Sequence, residues 1–411
     1  MNDFPDIESA DARVPDAHLP VVRLKKNEDR RLSAGHLWVY SNEIDVHASP
    51  LTTYQIGALV QVRSDRDRFI GYGYINPHSL ICVRLLGRDR HFLPGPSLIV
   101  HRLRIALGLR ERFYDAPFYR LVHGEADGLP GLVVDRFGDL LVVQIGTAGM
   151  EAMKGDIVDA LRKVVRAGNI VFKNDSGARS VENLPMYVEA ALGVLPSVVR
   201  VVERGATFEA PLAEGQKTGW FYDQVANRRQ FLPLIKGSKR VLDVFSYVGA
   251  WAVPAALDGA EVTCVDASQA ALDAAQANGV ANGVRVDALR GDAFEVLESL
   301  VAAGERFDAV VVDPPAFIKR RKDAAKGEGA YKRVNQLAMQ LLNRDGLLAS
   351  FSCSYHLPAD KLVEAVQRGA RHLGRFAQIV ATGTQAPDHP VHPAIPETHY
   401  LKAMLSRVTH D

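Results

Sequence analysis

Cysteine is scarce. The 411 residues hold three, Cys82, Cys264 and Cys353, an odd number set far apart. That pattern argues against a disulfide framework, and the spacing excludes a zinc knuckle; a reducing, cytoplasmic compartment is the expectation. Long apolar runs are missing too. None approaches the roughly 18 residues of a membrane span, so no membrane partner is expected. Neither sign of charge is in excess: Lys and Arg total 49 against 48 Asp and Glu, a net charge of +1. Any nucleic-acid surface must therefore be a local patch. The first twenty residues carry five acids and one arginine without an apolar segment. Residues 1–20 read as a disordered acidic tail and not as a signal peptide.

What is present is an ordinary globular composition, 47% hydrophobic and 24% charged. It excludes a largely disordered, collagen-like or coiled-coil chain. At roughly 150 residues per domain the length suggests two or three domains. Three blocks follow the tail. Residues 21–98 hold short β-rich runs at 58–62, 69–75 and 80–86, punctuated by Gly, Asn and Pro, and read as a small all-β barrel. A basic stretch, Lys25, Lys26, Arg30 and Arg31, opens this block; it is either a solvated face or an RNA contact. Residues 99–201 mix helical and strand patterns and read as an α+β domain. Its polar, turn-rich stretch 123–131 reads as a structural loop. Residues 202–411 alternate strands (240–245, 261–266, 308–313, 346–352) with Ala-rich helical segments such as 267–278. Continuous Val/Leu strands alternating with helices imply a parallel, doubly wound sheet.

Ligands of such sheets bind beyond the carboxyl ends of the strands, and there the third block concentrates polar residues. Strand one ends in Asp243, followed by Phe245, Ser246 and Gly249; small residues there let a ligand approach a helix N-terminus. Strand two ends in Asp266, suited to the two hydroxyls of a ribose. Asp292 and Ala293, beside Phe294, suit an adenine. Asp313 opens the Asp313-Pro314-Pro315-Ala316-Phe317 loop. A dinucleotide would need a glycine-rich pyrophosphate cradle, which 243–249 lacks. S-adenosylmethionine has no phosphate, and Asp243, with Asp223, Gln224 and Arg228 from the polar run before strand one, are candidates for its methionine end.

Cys353 directly follows a strand, where a doubly wound sheet exposes residues to substrate, whereas Cys82 and Cys264 lie within apolar strands and read as structural. Carbon 5 of cytosine or uracil is a poor nucleophile. A thiolate adding to carbon 6 makes carbon 5 enamine-like and able to take a methyl group from a sulfonium. Asp313 could bond the N3/N4 edge of the base, provided it holds or shares a proton. Lys319, Arg320, Arg321, Lys322, Lys332 and Arg333 follow the same loop and suit phosphate contacts, with Tyr331 among them placed to stack on a base. His389 and His392 lack the spacing of a zinc pair, and no metal is assigned.

These residues are similar to a known family. The chain resembles the RlmI-like class I methyltransferases, which make 5-methylcytosine in large-subunit (23S) ribosomal RNA. The resemblance spans nearly the whole chain after the tail. It rests on Leu24-Lys25, Arg30-Arg31 and Gly35-His36 with Trp38-Val39-Tyr40. It also rests on Gly124-Glu125 with Asp127-Gly128-Leu129-Pro130-Gly131-Leu132, on Gln216-Lys217-Thr218-Gly219 with Asp223-Gln224, and on 313–317, Ser352-Cys353-Ser354 and Asp388-His389-Pro390. It implies a PUA domain, a central α+β domain and a Rossmann-like methyltransferase domain that uses S-adenosylmethionine. It also implies ribosomal RNA as partner and Cys353 as nucleophile. The chain departs from the family at Ala316, commonly Lys, and at Tyr355, often Gly. Three rivals remain: an amino-group methyltransferase using the Asp-Pro-Pro loop, a non-catalytic RNA-binding ribosome assembly factor, and a dehydrogenase. The oligomeric state, a homodimer included, stays open.

Overall fold

The computed structural model describes residues 19–212, 215 and 217–410; the acidic tail expected at 1–20 lies, but for its last two residues, outside them. The chain divides into two compact units, one ending at Leu195 and taking in Val391–Pro396, the other formed by Pro196–Pro390 and Glu397 onward.

The first unit holds two sheets. Strands β1 (Val21–Arg23), β2 (Trp38–Tyr40), β3 (Leu59–Arg63), β4 (Phe69–Ile75) and β5 (Ile81–Gly87) lie in the order β1-β3-β4-β5-β2. The sheet curls on itself: Leu24 bridges Ile44, the Lys25 N–H donates to the Glu43 carbonyl at 2.9 Å, and the Asp45 N–H donates to that of Arg23 at 2.9 Å. Val22, Leu24, Val39, Val60, Val62 and Val83 fill the barrel. Gly73 of β4 is required by its neighbour, because a Cβ there would stand 2.4 Å from the Arg84 carbonyl oxygen.

The second sheet has β6 (Phe118–His123), β7 (Leu132–Phe137), β8 (Leu140–Ile145), β9 (Asn169–Asn174) and β10 (Tyr187–Leu192) in the order β10-β9-β8-β7-β6. It packs with the helices Pro96–Arg110 and Lys154–Val165 around Leu103, Leu121, Leu141, Leu161 and Phe172.

Barrel and second sheet belong to one unit because polar groups are buried between them. The Tyr74 hydroxyl donates to the Pro130 carbonyl at 2.6 Å and meets the Thr147 hydroxyl at 2.9 Å. Glu182, 3% exposed, accepts hydrogen bonds from Asn76 Nδ2 (2.8 Å), Ser79 Oγ (3.1 Å) and Arg84 Nη1 (2.9 Å). The turn-rich stretch 123–131 serves the same junction: Glu125 accepts from Trp38 Nε1 at 2.9 Å, and Asp127 pairs with the buried Arg110 at 2.6 Å.

The second unit opens with a hairpin, β11 (Val198–Glu203) and β12 (Ala206–Pro211). Its main sheet is β13 (Arg240–Val244), β14 (Glu261–Asp266), β15 (Val286–Arg290), β16 (Phe307–Val312), β17 (Leu342–Ser352), β18 (Arg375–Gly383) and β19 (Lys402–His410). Their order is β15-β14-β13-β16-β17-β19-β18. The sheet is parallel from β15 to β17, as its Val/Leu-rich strands imply, but β19 inserts antiparallel to both β17 and β18. The chain leaves β13 toward β14 and β15, then crosses back to β16. That reversal opens a crevice at the carboxyl ends of β13 and β16.

Removing the Glu182 carboxylate should leave the buried Arg84 with only the more distant Glu125, at 3.7 Å, to balance it, and strand the Asn76 and Ser79 donors. Glu182→Ala is expected to lower unfolding free energy by about 3–5 kcal/mol, read from the urea midpoint of the first unit's transition. A loss below about 1 kcal/mol, the net worth of an ordinary hydrogen bond, would contradict this account of the junction.

Candidate active site

The crevice begins at Asp243, the penultimate residue of β13 and fully buried. Neither of its carboxylate oxygens has a well-formed hydrogen bond, and the same holds for the buried Ser246 hydroxyl. Burial and the neighbouring Asp313 push the Asp243 carboxyl up to about 8. The loop that follows is strained: Phe245 and Tyr247 both have positive φ, 64° and 49°, a region that bulky side chains seldom adopt. Backbone hydrogen bonds hold it, from the N–H groups of Phe245 (2.8 Å) and Ser246 (3.1 Å) to the Val265 carbonyl. Gly249 also has positive φ, 85°, and a Cβ there would lie 3.3 Å from Ala275 Cβ. Backbone conformation and helix packing are thus reasons for its glycine.

Asp266 accepts hydrogen bonds from the Tyr247 N–H (3.0 Å) and the Ser268 N–H (2.9 Å), one on each oxygen. Asp292 caps the helix Ala293–Ala302, its Oδ1 accepting from the Phe294 N–H at 2.9 Å. Ala293 turns its side chain into the core, so only its backbone can face a ligand. The rings of Phe245 and Phe294 lie 6.2 Å and 6.0 Å from that of Phe317.

Asp313 directly follows β16, the strand next to β13. Gln224 Nε2 donates to its Oδ1 at 2.9 Å and Trp251 Nε1 to its Oδ2 at 3.4 Å. Burial and the nearby Asp223 push its carboxyl up to about 6. Asn227 Nδ2 donates to Gln224 Oε1 at 2.7 Å, fixing which end of the amide faces Asp313. Asp223 accepts from the Tyr400 hydroxyl at 2.7 Å. Arg228 requires a correction. Its guanidinium is fully buried and forked onto Glu203 at 2.6 and 2.8 Å, with a further bond to the Phe221 carbonyl. It underpins the acidic cluster instead of presenting a cation to a ligand.

Cys353 follows β17 and is partly exposed, while Cys82 and Cys264 are buried. Its sulfur is 3.8 Å from the Pro314 carbonyl of the Asp-Pro-Pro loop. Burial raises its thiol pKa; Lys217 opposes that shift, and Asp313 and Asp223 add to it. Ser354 anchors the loop, its hydroxyl accepting from the Ile318 N–H at 3.1 Å and meeting the Tyr331 hydroxyl at 2.8 Å. Tyr331 is therefore a second correction. It is fully buried, 4.8 Å from the Phe317 ring, and cannot stack on a base. Lys402, the first residue of β19, donates to the Ser354 and Tyr400 carbonyls. Sequence reasoning missed Trp251, Asn227, Glu203, Lys217 and Lys402 as site residues; the partners of Trp251, Glu203 and Lys402 are remote in the chain.

The basic residues divide. Lys26, Arg30, Lys319, Arg321 and Lys322 are exposed, Lys332 is half-buried, and Lys25 is exposed with its amine on the Asn42 carbonyl at 2.7 Å. Arg31 is corrected: it forks onto Glu43 at 2.7 and 2.9 Å, bonds the Trp38 carbonyl and lies over Tyr40. Arg320 pairs with Asp323 at 3.1 Å, and Arg333 pairs with Glu298 and lies over Phe294. Asp388 and His389 form a buried pair at 2.8 Å. Among the described residues no group of three His, Cys, Asp or Glu is placed to hold a metal, and no helix is long and apolar enough to cross a membrane.

The raised carboxyls predict how stability depends on pH. A carboxyl whose folded pKa exceeds its unfolded value of about 3.9 holds more protons when folded. Its contribution to stability is complete below that value and is lost as pH rises through about 6 for Asp313 and about 8 for Asp243. Asp243→Asn should therefore raise the urea midpoint of the ligand-free protein, and by much more at pH 9 than at pH 5. Equal effects at both pH values would contradict the buried-acid account.

Comparison with known proteins adds a lineage to this geometry. Residues 22–88 match the model of a PUA-like domain, and residues 190–407 match that of an S-adenosylmethionine-dependent methyltransferase. A ribosomal RNA large subunit methyltransferase I of Serratia proteamaculans is 33% identical over 398 residues, covering 94% of this chain and 98% of the relative. The protein of that name from Klebsiella pneumoniae is 33% identical over 401 residues, covering 96% and 99%. Two solved structures share the fold. One, described as a methyltransferase complexed with SAH, has TM-score 0.80 at 19% identity and covers 95% of this chain and all (100%) of its own. The other, described as a SAM-dependent methyltransferase from Streptococcus mutans, has TM-score 0.78 at 20% identity and covers 94% and 100%. The chain belongs to the S-adenosylmethionine-dependent methyltransferase family, in the branch that carries a PUA-like domain and includes the ribosomal RNA large subunit methyltransferases I.

Proposed function

We propose that the protein methylates carbon 5 of a cytosine in large-subunit (23S) ribosomal RNA through a covalent adduct of Cys353. The observation that carries this reading is Cys353 itself. It is the one cysteine of the three that is not buried, and it lies at the carboxyl end of β17 against the Asp313 loop. The ribosomal substrate follows from the names of the relatives at 33% identity.

The residues present fit the methyl donor. The buried oxygens of Asp243 and the Ser246 hydroxyl lack well-formed partners, and unsatisfied buried polar groups mark a place for a polar ligand. Asp223, Asp243 and Asp313 suit its cationic methionine end, Asp266 its ribose, and Asp292 with the Ala293 backbone and the Phe294 and Phe245 rings its adenosine. When bound, S-adenosylmethionine supplies the methyl group of its sulfonium.

The remaining chemistry belongs to the chain. The Cys353 thiolate adds to carbon 6, which makes carbon 5 nucleophilic. Asp313, raised to about 6, holds a proton in about a tenth of molecules at pH 7 and can lend it to N3 as the adduct forms. Gln224 and Trp251 fix its two oxygens for that contact. Phe317, the residue an amino-group methyltransferase would stack on the base, is packed against Tyr331 and near Phe294, which favours the cysteine route.

The deciding experiment is methyl transfer from labelled S-adenosylmethionine to unmodified ribosomal RNA, followed by nucleoside analysis. Labelled 5-methylcytosine is expected from the wild type, and none above background from Cys353→Ala. Label in an N-methylated base, or a variant as active as wild type, would discard the thiolate mechanism. RNA is expected to contact the exposed cations. Changing Lys319, Arg321 and Lys322 together to Glu should weaken RNA binding, flatten its salt dependence by about one unit per lost phosphate contact, and leave cofactor affinity unchanged in calorimetry.

A further inference from the structure

Cys353 must lose a proton before it can add to a base, and none of the residues assigned so far takes it. Asp313 is itself an acid in the scheme above. His389, the histidine of this part of the chain with a carboxylate partner, is buried on Asp388. Lys217, whose charge favours the Cys353 thiolate, lies over the Phe221 ring at 4.8 Å.

Lys402 brackets the thiol. In the β17–β19 ladder it is the cross-strand partner of Ser352, the residue before Cys353. Its amine donates to the carbonyl of Ser354, the residue after Cys353, and to that of Tyr400 at 2.7 Å. The backbone on both sides of the cysteine is thus tied to this one residue, before it through the strand ladder and after it through the amine. A neutral amine has two N–H donors and one lone pair, and an ammonium has three donors. Two carbonyls satisfy both donors of the neutral form, and the remaining position is then either the lone pair or the third N–H. The same two hydrogen bonds serve both protonation states, so proton uptake needs no rearrangement. No carboxylate among the described residues pairs with Lys402, and the charged group coupled to it is Cys353.

We propose that Lys402 accepts the proton of Cys353 and returns it when the adduct breaks down. The inference rests on the Cys353 reading given above. In the forward step the S–H bond breaks and an N–H bond forms, so a neutral thiol–amine pair becomes a thiolate–ammonium pair with no net change of charge. The thiolate's electron pair then makes the S–C6 bond. Loss of the carbon-5 proton to solvent then supplies the electron pair that re-forms the C5–C6 double bond and breaks the S–C6 bond; the thiolate is released beside the ammonium, and the ammonium proton goes back to it. Burial lowers Lys402 to about 8, which keeps a share of the amine neutral near neutral pH. The charged and titratable groups around the pair are Lys217 before the helix Val225–Ile235, Asp223, Asp313 after β16, and Tyr331 of the helix Ala324–Gln340.

The test separates this inference from the cytosine mechanism by reading the thiol directly. The full chain, without cofactor or RNA, is alkylated with iodoacetamide across pH 6 to 10 (roughly the span between an activated thiol and a free lysine), and the modification of Cys353 is followed by mass spectrometry. In Lys402→Met the alkylation midpoint should rise by at least one unit, a rate about tenfold lower at pH 7.5. Lys402→Gln, which keeps two N–H donors for the carbonyls but no basic nitrogen, should behave like Met. Lys402→Arg keeps the charge without a usable lone pair; it should retain fast alkylation but lose most of kcat in methyl transfer at unchanged KM. Calorimetric binding of S-adenosylmethionine confirms that each variant is folded. Wild-type alkylation in both Lys402→Met and Lys402→Gln would overturn the inference, as would full turnover in Lys402→Arg. A structural role is exposed by rescue with Gln. If instead Cys353→Ala remains active, the cytosine mechanism fails and Lys402's catalytic role falls with it, whatever the alkylation profile.

Discussion

The second unit is organised around a cluster of acids, two of them buried and one partly so. Asp223, Asp243 and Asp313 gather at the carboxyl ends of β13 and β16, where burial and mutual repulsion raise the last two. Ionised groups in such surroundings cost several kcal/mol each unless compensated. The nearest buried cation, Arg228, is spent on Glu203 of β11, so it steadies the cluster without neutralising it. Gln224, Trp251 and Tyr400 contribute hydrogen bonds, but Asp243 keeps both oxygens without a well-formed one. A fold that leaves this deficit is suited to a ligand carrying positive charge. S-adenosylmethionine, with a sulfonium and an ammonium, is such a ligand, and a dinucleotide with a pyrophosphate is the opposite.

The sheet topology turns this deficit into a site. Reversal of the chain between β15 and β16 places Asp313 beside Asp243, and the next strand carries Cys353 to the same edge. The strained backbone at Phe245 and Tyr247 is held by the Val265 carbonyl and the Asp266 carboxylate, so the β13 loop is set by β14. The antiparallel β19 adds what a purely parallel sheet would not. Its register brings Lys402 alongside Ser352, about fifty positions away in the chain, and the segment before it brings Tyr400 to Asp223.

Local patterns showed much of this in the sequence. β4 and β14 have the bounds read from the sequence runs, and the acids at the strand ends follow from strand positions alone. The errors share one cause. Arg31, Arg228 and Tyr331 were read by residue type and neighbours, yet their roles are set by Glu43, Glu203 and Ser354, partners that spacing does not reveal. A basic or aromatic residue in a polar run looks the same whether it faces water or an internal partner. The return strand escaped for a related reason, since an apolar run does not announce its direction in a sheet.

The same distinction bears on how a protein of net charge +1 could hold a polyanion. Affinity for phosphate depends on cations that release counterions, and a cation already paired inside the protein has little to release. Arg31 is engaged by the mostly buried Glu43 and belongs to the internal balance, whereas Arg320 and Arg333 are exposed and held by surface ion pairs. Lys26, Arg30, Lys319, Arg321 and Lys322 remain exposed. Three of these stand directly after the Asp313 loop, in the segment leading to the helix Ala324–Gln340. Uncompensated charge is therefore concentrated next to the reactive edge of the sheet, although the chain as a whole is almost neutral. A backbone phosphate held there would position a nucleotide without specifying its base, which under the proposed mechanism would leave recognition of the base to the Asp313 loop and Cys353.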